Sequence, residues 1–75
     1  MDIKKINNWF RTATREDVNI LLEKIILSER QTRIFEMFYL KRQSIGFIAD
    51  SLGCSCSVIS EELKEIRNKI LIIIP

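Results

Sequence analysis

The stretch Ser44-Ile45-Gly46-Phe47-Ile48-Ala49-Asp50-Ser51-Leu52-Gly53-Cys54-Ser55-Cys56-Ser57-Val58-Ile59-Ser60-Glu61-Glu62-Leu63 decides the fold. Ser44 is a helix N-cap residue, able to hold a backbone N–H of the first turn. Ile45, Ile48, Ala49 and Leu52 then recur at helical spacing and give a short helix one buried stripe. Gly53 ends it, because glycine takes the left-handed conformation that a helix stop requires at little steric cost. Ser55 caps the next helix, which carries an inner stripe of Ile59, Leu63, Ile66 and Ile70 and is expected to run to about Leu71. Two helices crossing at close range want a small residue in the first, a turn residue with positive φ, and an apolar residue in the second. Ala49, Gly53 and Ile59 meet these demands at the spacing of a helix-turn-helix.

The flanking sequence has the same helical period. A first helix is expected over residues 2–10, with Ile3, Ile6 and Phe10 on one face and Trp9 on its flank. Thr14 with Asp17 reads as a capping box. It opens a second helix striped by Val18, Leu21, Leu22 and Ile25 that should end near Ile26. Ser28 with Gln31 reads as another capping box. The third helix is apolar on several sides, with Ile34, Met37, Phe38 and Lys41 on one face and Phe35, Tyr39 and Leu40 on others. Such a helix sits centrally. Period-two alternation is missing, and two glycines and one proline are too few for the turns of a β fold. The expected fold is therefore a small all-α domain of five helices. Residues 27–71 carry the helix-turn-helix, and residues 1–26 form a covering or dimerisation element.

At 75 residues the chain is one domain, near the lower size limit for a self-sufficient core. It has two cysteines and no histidine. Zinc cannot complete four ligands from such a set, and no metal or other cofactor is expected. Cys54 and Cys56, two apart, are poorly placed to bridge. Without histidine, acid–base chemistry would need a pocketed carboxylate pair or lysine, and no glycine-rich phosphate loop exists, so an enzyme is not expected. The start Met1-Asp2-Ile3-Lys4-Lys5 lacks the apolar core of a signal peptide. The longest apolar run is far below the roughly 20 residues that span a bilayer. A cytoplasmic location is the expectation. Net charge is +2 overall, but residues 1–42 carry +3 and residues 43–75 carry −1.

The ordered set Leu27-Ser28-Glu29-Arg30-Gln31, Ile34-Phe35-Glu36-Met37, Tyr39-Leu40, Ser44-Ile45, Ile48-Ala49, Leu52-Gly53, Val58-Ile59, Leu63, Ile66-Arg67 and Lys69-Ile70 resembles region four of bacterial sigma factors. It is also similar to the LuxR-type helix-turn-helix. The resemblance covers residues 27–71. The promoter-melting regions of a sigma factor are absent, so it implies a stand-alone transcriptional regulator of bacterial or phage origin that binds double-stranded DNA. In that family the second helix of the motif enters the major groove. Carried over by position, its groove-facing residues are Cys56, Ser57, Ser60, Glu61 and Lys64, with Ser44, Lys41 and Arg42 beside them. Arg30, Arg33, Arg67 and Lys69 add positive charge.

The chain departs from the family in two ways. Relatives carry Lys, Arg or Asn around positions 60–62, where this chain has Ser60, Glu61 and Glu62, followed by Glu65. Carboxylates oppose the cationic phosphate contacts on which DNA affinity rests, although one glutamate can read cytosine N4. Phe38 and Phe47 stand where relatives are usually charged. The alternative is thus a protein-interaction module of the same fold that has lost tight DNA binding. It would bind RNA polymerase or another regulator, or inhibit a nucleic-acid enzyme. A phage packaging or assembly protein is a third option. Ile3, Trp9, Phe10, Phe38, Phe47, Ile72, Ile73 and Ile74 are the candidate interaction residues. The apolar tail Leu71-Ile72-Ile73-Ile74-Pro75 is expected to bury either against the N-terminal helices or in a homodimer, with the homodimer slightly favoured.

Overall fold

The computed structural model describes residues 2–74, with side chains from residue 3. It is 81% helical, with five helices and no strand among the described residues. The helices are α1 (Asp2–Thr12), α2 (Arg15–Lys24), α3 (Glu29–Phe35), α4 (Ile45–Leu52) and α5 (Cys56–Ile73), and α3 runs on into a π-helical segment, Glu36–Leu40.

Local side-chain chemistry sets most of the starts. Thr14 accepts the Asp17 N–H at 3.1 Å while Asp17 accepts the Thr14 N–H at 2.9 Å, closing a capping box on α2. Ser28 and Gln31 close the same reciprocal pair on α3, at 3.1 and 3.2 Å. Ser44 accepts from Phe47 N–H and Ser55 from Val58 N–H, capping α4 and α5. Each cap satisfies an N–H that the first helical turn leaves without an intrahelical acceptor.

Two compact units divide the described residues: 2–26 with 67–74, and 27–66. Helix α5 supplies residues 56–66 to the second and 67–73 to the first. In the first unit, Ile6, Val18, Leu21, Ile25, Ile70 and Ile74 are buried, and the Lys69 ammonium donates to the Ile26 carbonyl at 2.8 Å. That bond satisfies a carbonyl just past the end of α2 with a cation, the sign the C-terminal dipole prefers. In the second unit the core is Ile34, Phe35, Ile48, Ala49, Ile59, Leu63 and Ile66, with Gln31 buried beside it.

Several expectations change. Helix α1 buries Ile6, but Ile3 is 52% exposed and Phe10 half-buried, so its inner face is narrower than the spacing suggests. The last helix runs past Leu71: α5 continues to Ile73, and Ile74 is buried, its N–H donating to the Ile70 carbonyl at 3.0 Å. Ile74 is therefore covered within the single chain, the other outcome open to the tail besides burial in a homodimer. Pro75 lies outside the described residues. The third helix widens after Phe35, with Lys41 N–H reaching the Glu36 carbonyl at 2.9 Å, five residues back. One extra residue in the turn rotates the remainder of the helix by about 100° relative to a straight α-helix. Leu40 and Lys41 end exposed, while Met37, Phe38 and Tyr39 are half-buried.

Candidate nucleic-acid interface

The second unit holds the helix, turn and helix of residues 45–66 in the order read from the sequence. Gly53 has φ 67 and ψ 32, the left-handed conformation. Its N–H donates to the Asp50 carbonyl at 3.3 Å, and Cys54 N–H donates to the Ala49 carbonyl at 2.9 Å. This bond pair is a Schellman closure, and it satisfies the last carbonyls of α4 before the chain turns into Ser55 and α5. A Cβ on Gly53 would meet nothing within 4 Å. Glycine is needed there for its backbone conformation rather than for space.

Helix α5 is divided sharply. Ile59, Leu63 and Ile66 are buried to 1% exposure or less. Cys56, Ser57, Ser60, Glu61 and Lys64 are all exposed. At about 100° per residue, Ser60, Glu61 and Lys64 fall within about 60° of Ser57 on the helical wheel. Ser44, Lys41 and Arg42 are exposed as well. All eight candidate contact residues therefore lie on the surface of the second unit.

The three glutamates of α5 have different surroundings. Glu62 lies about 140° around the wheel from Ser57, close to the inner stripe, and is half-buried. Glu65 accepts a hydrogen bond at 3.2 Å from the side-chain amide of Gln31, whose own oxygen closes the α3 capping box. Gln31 is only 5% exposed, so Glu65 ties α5 to the start of α3. Glu61 alone shares the outer face with Ser57, Ser60 and Lys64, and a single acceptor there is compatible with base readout.

The cations near the motif are set by backbone geometry. Arg42 has φ 54, a left-handed conformation that is uncommon for a residue with a side chain. It comes just after the π-helical segment, and the next N–H, of Gln43, closes back on the Met37 carbonyl at 2.9 Å. Lys41 and Arg42 thus stand in a tight stop two to three residues before the Ser44 cap. Arg30 and Arg33 line a shallow depression of about 210 Å³ with Glu29 and Leu52, the residue before Gly53. Arg33 pairs with Glu29 at 3.3 Å, and both side chains are largely exposed.

Lys69 is not available as a simple phosphate contact, since its ammonium holds the Ile26 carbonyl. Neither this bond nor the Gln31–Glu65 bond is legible in the sequence, where nothing local links partners so far apart. Phe38 is half-buried, edge-on to Tyr39 with ring centres 5.0 Å apart, whereas Phe47 is 53% exposed. In the first unit Trp9 and Phe10 are half-buried and meet edge-on at 5.0 Å, and Ile72 is exposed with Ile73 half-buried. Cys54 is half-buried, its thiol 3.6 Å from the Leu52 carbonyl, and Cys56 is exposed, both as free thiols. No helix among the described residues is long and apolar enough to cross a membrane. Comparison of the chain with protein-family models, curated proteins and solved structures finds no match.

Proposed function

We propose that this chain is a helix-turn-helix transcriptional regulator of bacterial or phage origin that binds double-stranded DNA through α5. The observation that carries this reading is the division of α5. Its inner stripe is wholly buried behind a left-handed Gly53 turn, and its outer face offers Ser57, Ser60, Glu61 and Lys64 to solvent. A helix held in this way and polar on its free side suits the major groove, which admits one α-helix and is read by short polar side chains. Lys41, Arg42 and the capped start of α4 supply phosphate contacts that set register. The resemblance to sigma region four points the same way.

The test is duplex binding followed by fluorescence anisotropy across a salt series. Affinity should fall steeply with salt, and Lys64→Glu or Arg42→Glu should weaken it and lower the slope by about one unit per lost phosphate contact. No binding at low salt would overturn the reading.

A second reading has its own observation. Phe47 at 53% and Leu40 at 46% exposure are large apolar side chains on the unit that carries the motif. They suit a protein surface better than a phosphate backbone. A module that docks on RNA polymerase, on another regulator or on a nucleic-acid enzyme would lose its partner on Phe47→Ser and bind no DNA.

A further inference from the structure

The first unit leaves two isoleucines almost fully in solvent, Ile26 at 87% and Ile72 at 81% exposure. They line one open groove of about 210 Å³. The Ile26 carbonyl is pinned by Lys69, so this projection is held in place. Next to it, sharing Lys24 and Ile73, lies a second groove of about 280 Å³ whose lining includes Trp9, Asp17 and Ile20. A small chain thus carries an apolar projection and an apolar recess side by side.

We infer that this face pairs with a second copy of the same chain about a two-fold axis running past the middle of α2. An isologous interface demands a self-complementary surface, and this face is one. Asp17 and Lys24 stand seven residues apart on α2, two turns along the same side, and both line the recess. The Lys24 ammonium has no hydrogen bond or ion pair with any described residue. Asp17 uses one carboxylate oxygen, Oδ2, for the Thr14 cap. If two α2 helices lie antiparallel, Asp17 of each comes opposite Lys24 of the other, and the pair forms twice. The centre of that arrangement falls between Ile20 and Leu21, so Ile20, 42% exposed, meets its own copy near the axis. Beyond Lys24, the projecting Ile26 and Ile72 of one copy reach the Trp9 end of the recess on the other. Charge register and apolar shape agree on one arrangement.

The test is sedimentation equilibrium of the full chain without DNA, from low-micromolar to submillimolar concentration, so its outcome is separate from that of the DNA reading. The expected result is a reversible dimer of the 8.8 kDa chain. Ile26→Lys or Ile72→Lys should weaken it by about tenfold or more with helix content unchanged, because both residues are exposed in the single chain. Lys24→Asp should abolish self-association, and so should Asp17→Lys, since each sets like charges opposite one another. Mixing those two variants should restore a heterodimer. A wild-type monomer throughout, or a dimer indifferent to Ile26→Lys, Ile72→Lys and Lys24→Asp, would overturn the inference.

Discussion

Gln31 joins two structural devices in one buried side chain, so its replacement by glutamate is a sharp perturbation. Its oxygen accepts the Ser28 N–H at 3.2 Å and its amide donates to Glu65 at 3.2 Å, and the residue is 5% exposed. Gln31→Glu keeps the capping box, because a carboxylate accepts as well as an amide oxygen. It removes the donor toward Glu65 and puts a second carboxylate in its place. The lost hydrogen bond costs about 1 kcal/mol. Two like charges about 4 Å apart repel by about 1 kcal/mol in bulk water and about 4 at an effective dielectric near 20. Glu65 is exposed but the side chain at position 31 is buried, so the repulsion falls between these figures and the total is about 2–5 kcal/mol at neutral pH. The repulsion needs both carboxylates charged, so the penalty is present at neutral pH and fades on acidification. The double variant Gln31→Glu with Glu65→Gln reverses donor and acceptor and should recover most of the loss. Urea unfolding followed by far-ultraviolet circular dichroism at neutral and acidic pH measures all of this. A single variant as stable as wild type, or a double variant no better than the single one, would rule out a stabilising Gln31–Glu65 link.

Other outcomes are tied to particular positions. Gly46 lies inside α4 with open space where a Cβ would go, so Gly46→Ala should stabilise the fold by about 0.5–1 kcal/mol in the same unfolding assay. Gly53→Ala should instead cost about 1–2 kcal/mol, because the left-handed backbone persists although no atom obstructs the methyl group. Arg42→Gly should leave thermal stability equal or higher by relieving its φ of 54, while lowering the salt dependence of duplex binding by about one unit. Lys69→Met should lower stability by about 1 kcal/mol, since it strips the Ile26 carbonyl of its donor.

The features legible in the sequence were those that local chemistry decides. Thr14, Ser28, Ser44 and Ser55 cap helices through residues three positions on, and Gly53 stops α4 through its own φ, so neither depends on distant parts of the chain. The Ile59, Leu63, Ile66 and Ile70 stripe of α5 was equally legible, because a long helix keeps its period. The π-helical widening after Phe35 was not, since a helical pattern holds no mark for one extra residue in a turn. Nor was the left-handed Arg42, which follows that segment and reflects no preference of arginine. Ile3 shows the remaining gap: period places it on the face of Ile6, but which part of a face is covered depends on its neighbours. For the candidate interface, the outward residues of α5 could be named in advance. The role of Glu65 could not, because its partner Gln31 lies 34 residues away.

The most direct test of DNA recognition through α5 is a heteronuclear NMR titration of the isotope-labelled chain with duplex DNA at low salt. The expected result is salt-reversible amide shifts concentrated at residues 41–44 and 56–64, with α1 and α2 unchanged. An unchanged spectrum, or shifts centred on Leu40 and Phe47 only when a protein partner is added, would contradict it.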